Sequence, residues 1–321
     1  MGGHMKKVLS LVLILSLAVT VAYQDSALSG AWTTPKNHLW TEIGQKYAFA
    51  NDRFNSDQDR IPLGWDYDFG VDKGGEWWAY DFEWKNEYGL ADWLNALFSI
   101  SYERAHYKEH SRPAGWGGYV RDSAGIKYFT IGGKARATET PIIVSYQILG
   151  YIPGINTKEI EPAIGKDDAR LEMKVLLGKS YKFGRMPAYS GFETGYRFRG
   201  ADEVADDIPL FFETGVVLTD WVMLQGELDT WIGIDGKHED NESIATARLG
   251  LIYSPTGKFN QFRKETNNLN IAVQGGYTFW GINTNASWEV LLKISTTFDI
   301  PRLVNSLDRN NHENDRVVTH H

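Results

Sequence analysis

Residues Ile208–Ile232 read IPLFFETGVVLTDWVMLQGELDTWI. In the first arm Leu210, Phe212, Thr214, Val216 and Leu218 fall on one face, and Phe211, Glu213, Gly215 and Val217 on the other. In the second arm Val222, Leu224, Gly226, Leu228, Thr230 and Ile232 alternate with Met223, Gln225, Glu227, Asp229 and Trp231. Period two is the repeat of a pleated strand, whose successive side chains point to opposite sides. Thr219-Asp220 stands where a tight turn must join the two arms. Each arm runs to roughly 10–12 residues, long for a globular strand and suited to a tilted strand crossing a bilayer. One face is greasy from end to end, while the other carries carboxylates at mid-strand. The pair reads as a hairpin of a transmembrane β-barrel, with lipid outside and a polar lumen inside.

The same alternation recurs over residues 38–298. In Glu76–Tyr88, Trp78, Tyr80, Phe82 and Trp84 oppose Asp81, Glu83, Lys85 and Glu87; farther on, Leu94, Ala96, Phe98, Ile100 and Tyr102 oppose Asn95, Ser99, Ser101 and Glu103. Long polar connections (Asn51–Gly75, Lys108–Ser123, Ile152–Asp167) alternate with short ones (Gly89–Ala91, Thr138–Pro141, Gly184–Pro187), and only Pro255–Asn267 is long where a turn is due. That rhythm predicts an all-β, transmembrane antiparallel up-and-down β-barrel of about twelve strands, both termini on the periplasmic side.

The whole chain has 321 residues, a formal net charge of −8, no cysteine, 12 Trp, 16 Tyr, 15 Phe and 32 Gly. An acidic chain lacks the basic patches that a nucleic-acid partner needs. Without cysteine there is no disulfide framework, thiolate metal site or lipid anchor on cysteine. The mean hydropathy of −0.36 suits a soluble protein, yet alternation cancels in such an average. Lys6-Lys7 followed by the apolar run Val8–Ala22 marks residues 1–22 as a signal peptide, with Met5 a possible true start. Residues 23–37 are expected to form a periplasmic leader, 38–298 the barrel, and 299–321 a polar tail. A soluble barrel would show the same alternation. The export signal, the strand length and the rings clustered toward strand ends (Trp78, Trp84, Trp288, Phe298) favour the membrane.

The last strand, WEVLLKISTTF at Trp288–Phe298, alternates apolar residues and closes on an aromatic, although Phe298 is not the final residue. With the whole-chain pattern, it resembles bacterial outer-membrane β-barrel proteins. The opening AWTTPK at Ala31–Lys36, followed at once by a strand, is similar to uncharacterised barrels described as putative transporters. The resemblance implies a place in the outer membrane of a Gram-negative-type bacterium, contact with its lipids, and insertion by the barrel-assembly machinery.

The polar face gathers Glu42, Asp81, Glu83, Glu87, Glu103, Glu172, Glu193, Glu213, Glu227, Asp229 and Glu289 against Lys46, Lys85, Lys134, Arg136, Arg170, Lys174, Arg197, Arg199, Arg248 and Lys293. These are the candidate pore-lining residues. Opposite signs on neighbouring strands either pair into a ladder that fills the lumen, or set up a transverse field that selects small polar or zwitterionic solutes. The first expectation is a channel for passive passage of small polar solutes, its outer mouth gated by the three long loops, with no cofactor and no metal. Two alternatives stay open: an outer-membrane hydrolase with a rim site around His106, His110 and Ser111, and a closed barrel serving as anchor or adhesion platform. Asp206-Asp207 and Asp167-Asp168 offer oxygen ligands for calcium, and His312, His320 and His321 offer weak chelation in the tail.

Overall fold

The computed structural model describes residues 30–63, 65–66, 71–72, 74–109, 119–154, 169–200, 205–234, 242–255 and 269–301. The expected signal peptide, His110, Ser111, Asp167, Asp168 and the tail histidines lie outside them. Twelve long strands run in chain order: β1 (His38–Ala50), β2 (Gly75–Ala91), β3 (Leu94–Glu109), β4 (Tyr119–Thr138), β5 (Ile143–Pro153), β6 (Arg170–Phe183), β7 (Met186–Arg199), β8 (Asp206–Thr219), β9 (Val222–Ile234), β10 (Ser243–Tyr253), β11 (Asn270–Ile282) and β12 (Trp288–Asp299). Each pairs antiparallel with its chain neighbour. The wall closes where β1 meets β12, from His38 opposite Asp299 to Phe49 opposite Trp288. Full closure leaves no edge strand in the wall, as a spanning sheet requires. No helix among the described residues is long and apolar enough to cross a membrane; here the strands cross.

The period-two reading of facing holds around the ring except where a β-bulge shifts the register. Tyr80, Phe82 and Trp84 on β2, Ile148 on β5, Leu249 and Leu251 on β10, and Val290, Leu292 and Ile294 on β12 lie exposed on the outer wall. Glu213 on β8 and Glu227 on β9 are buried inside it. Exposing so much contiguous apolar surface to water is unfavourable, whereas hydrocarbon accepts it. Rings cap this belt at both ends. Trp78 packs edge-on against Tyr80, and Tyr277 lies at a tilt against Trp288, toward the loop end. Trp93, Phe183, Trp221 and Tyr253 ring the turn end. Such girdles suit the two membrane interfaces.

Strand ends differ from the sequence reading near the loops. β4 starts at Tyr119 rather than Ala124, because its extra residues continue the ladder with β3 out to Glu109. Thr284–Asn285 leaves the barrel and joins Asp52–Phe54 and Arg60–Pro62 in a small three-stranded sheet at the loop end. Arg60 ties that sheet to the wall, donating to Asp52 at 2.8 Å and to the Tyr277 hydroxyl at 2.8 Å.

Candidate functional site

The candidate side chains belong to the inward rows of the strands, and most are held in networks of ion pairs. On β1–β4, Lys46 meets Asp81 at 2.6 Å, and Lys127 bridges Asp81 at 3.1 Å and Glu103 at 2.6 Å. Lys85 meets Glu83 at 2.9 Å and stands opposite Glu42 in the ladder. On β6–β8, Glu172 takes Lys174 at 2.9 Å and Arg197 at 2.6 Å, while Lys174 also reaches Glu193 at 3.5 Å. Arg197 and Arg199 both clasp Asp207 at 3.1 Å. Arg170 donates to the Tyr128 hydroxyl and lies 4.6 Å over its ring. On β9–β12, Arg248 joins Glu289, Asp229 at 3.1 Å and Glu227 at 3.6 Å, and Lys293 reaches Glu227 at 3.2 Å. Nearest the turns, Lys134 meets Glu87 at 2.7 Å, and Arg136 turns to Glu139 in the β4–β5 turn at 2.5 Å.

Lys127 escaped the sequence reading for a physical reason. Lys134 and Arg136 face inward, so strict alternation would send Lys127 to the lipid side. Ser101 on β3 pairs with Tyr128 while Tyr102 pairs with Ile126, so Lys127 is the extra residue of a β-bulge. One extra residue reverses the parity of a strand, and the lysine enters the lumen between two carboxylates. The one visible sign was the cost of a lysine on the lipid wall.

The networks differ in their contact with water. Lys85, Glu83 and Lys46 side chains are 44%, 38% and 32% exposed although the closed wall surrounds them. Lys134 and Glu172 are 4% and 0% exposed. Water-sized space therefore lies in the lumen at the level of Lys46, Glu83 and Lys85, and it closes around Lys134 toward the turns and around Glu172 toward the loop end of β6.

Two things fill the turn end. Tyr189, Val217, Met223, Ile252 and Ala272, all inward, form an apolar cluster that leaves Tyr189 and Met223 wholly buried. Across from it, Gly30–Lys36 runs inside the barrel mouth. Glu87 accepts from the Thr34 backbone N–H at 3.0 Å and hydroxyl at 2.9 Å, and from Asn95. Lys134 donates to the Trp32 carbonyl at 2.7 Å, and Ser145 to the Ala31 carbonyl at 2.6 Å. The Trp32 ring rests on Gly178 of β6, where a Cβ would collide with it, and meets Tyr189 edge-on at 6.3 Å. Sequence reasoning placed this stretch in a leader and had no periodicity from which to find its seat.

The other candidates fall elsewhere. His106 pairs in the ladder with Trp78, on the outer wall. Its Nδ1 lies 2.9 Å from Asp122 and its ring stacks on Trp78 at 4.7 Å. Asp206 accepts from the Tyr196 hydroxyl at 2.7 Å and the Arg199 N–H at 2.8 Å. With Asp207 held in ion pairs by two arginines, both carboxylates already have partners. No cluster of three or more His, Cys, Asp or Glu side chains fit for a metal occurs among the described residues.

The closed β-barrel wall has a counterpart among known structures. An outer-membrane channel from Pseudomonas putida F1 superposes with a TM-score of 0.61 at 10% identity, over 87% of this chain and 100% of that one. The fold is that of an outer-membrane β-barrel protein. More distant likenesses are the translocator domain of autotransporter NalP from Neisseria meningitidis (TM-score 0.40, 9% identity, 91% of this chain and 95% of that one) and a Pseudomonas aeruginosa FadL homologue (TM-score 0.36, 8% identity, 82% and 90%). No family model and no curated protein matches the sequence.

Proposed function

We propose that this outer-membrane β-barrel is a passive channel for small polar solutes, lined by the charged inward rows and narrowed at the turn end by Gly30–Lys36. The water-accessible row Lys46, Glu83 and Lys85, enclosed by a continuous wall, is the observation that carries this reading. Ionised side chains that stay accessible to water inside a closed wall suit an aqueous route. The likeness in fold to an outer-membrane channel supports the same reading. Both signs flank the route, so a zwitterion crosses with its dipole aligned between them. Lipids of the outer membrane surround the wall, and the Trp288–Phe298 strand is the segment offered to the assembly machinery.

Planar-bilayer recording tests the proposal. Folded, purified protein is expected to give single-channel events, and Glu87→Gln, which weakens the hold on Thr34 and Lys134, is expected to raise the conductance several-fold. Complete silence of both proteins across a salt gradient, with no solute flux in liposomes, would leave a closed anchor instead.

A further inference from the structure

One inward carboxylate stands apart from the networks. Glu213 of β8 is 6% exposed. No lysine or arginine nitrogen of the described residues lies within 4 Å of it. Its hydrogen bonds come from neutral donors, Gln225 Nε2 at 3.0 Å and the Tyr189 hydroxyl at 3.5 Å. Directly opposite in the ladder is a second carboxylate, Glu227 of β9. Like charges facing each other across a strand pair are destabilising. The cations nearest the pair, Lys293 and Arg248, bond to Glu227 and not to Glu213.

A second observation comes from β11. Gln274 is 1% exposed, and its Nε2 donates to Glu227 Oε1 at 2.7 Å and to the side-chain Oε1 of Gln225 at 3.0 Å. The Oε1 of the same amide is buried and receives no hydrogen bond. A buried acceptor without a donor is unfavourable. Glu213 thus lacks a cationic partner among the described residues, and the Gln274 Oε1 lacks a donor. A divalent metal does not answer this need, because the described residues bring no third acid or histidine to the pair. A protonated primary amine does: it carries one charge and three N–H donors on a compact head.

We infer that Glu213, Glu227 and the Gln274 Oε1 form a subsite in the lumen wall for the ammonium head of a small primary amine. The inference rests on the channel reading for access from the lumen, and it gives that channel a substrate class. Protonation of Glu213 would remove one of the two facing charges and add one O–H donor, so the neutral acid and the bound ammonium are alternative occupants of this locus.

Calorimetric titration of the folded protein in detergent with ethylammonium chloride, against sodium chloride of equal strength at neutral pH, tests the subsite without needing conduction. Saturable binding is expected, weakened by on the order of tenfold or more in Glu213→Gln through loss of the charge-assisted bond. Gln274→Met keeps the charge but removes the acceptor, and should weaken binding by a smaller factor. Absence of saturable binding to the wild type, or unchanged affinity in Glu213→Gln, would overturn the subsite. A barrel that conducts without binding amine would sink the subsite alone. One that binds amine without conducting would sink the channel alone.

Discussion

Lys85 and Glu87 are two residues apart on the same inward row of β2, yet they live in different media. Lys85 and its partner Glu83 are close to half exposed to the lumen. Glu87 and its partner Lys134 are almost dry, closed in by Thr34, Asn95 and the Trp32 carbonyl. Alternation assigns both to the lumen and treats them as equals. Their surroundings differ because a segment from outside the strand pattern covers one and leaves the other bare. Facing is a local property of a strand, but hydration is decided by whatever else enters the barrel.

The largest way to break that contrast is to remove Lys134. If its pair is dry, Lys134→Ala strands a buried carboxylate and should cost ~3–5 kcal/mol of stability, the usual penalty for breaking a buried ion pair. Urea unfolding of the barrel in detergent, followed by tryptophan fluorescence, reads it. A loss as small as that of an exposed surface pair would mean that water reaches Glu87 and that Gly30–Lys36 does not seal the mouth.

Most of the fold was legible before any coordinates. Period two in stretches such as Ile208–Ile232 gave the strands, and the alternation of long and short connections gave the order of the wall. The facing of Trp78, Phe212 and Leu292 against Glu213 and Glu227 followed from parity alone. The candidate site was legible only as a set of inward positions. Lys127 was hidden because a bulge is a property of two strands in register, and nothing in either sequence alone demands it. Gly30–Lys36 was hidden because its hold depends on single hydrogen bonds to Glu87, Lys134 and Ser145, far away in the chain. The apolar fill at Val217, Met223 and Ile252 was hidden for another reason: a nonpolar residue on an inward row looks like noise until its neighbours across the lumen are known.

The apolar cluster allows a second test of the dry end. Met223 is wholly buried against Tyr189 and Val217. Truncating a buried methionine costs ~2–5 kcal/mol, depending on how far the site collapses. Met223→Ala should therefore destabilise the barrel by an amount in that range, toward its lower end because lumen water can enter the gap. It should also raise single-channel conductance. A destabilised barrel with unchanged conductance would place the narrowest point elsewhere, at Gly30–Lys36 alone.

The smallest effect on stability is expected at Lys85, and there the permeation data decide. An ion pair this accessible contributes ~0–1 kcal/mol, so Lys85→Ala should unfold in urea at nearly the wild-type midpoint. Removing one positive charge from the wet row leaves Glu42 and Glu83 facing the lumen with one cation fewer. In a potassium chloride gradient the reversal potential should then move toward cation preference, more at low salt than at high salt because free ions screen the row. The same substitution thus reads two properties of one position: its stability reports that water is present, and its selectivity reports that ions pass through that water. A shift in the unfolding midpoint without a shift in reversal potential would make Lys85 a structural strut like Lys134, and the two halves of the lumen would no longer differ in kind.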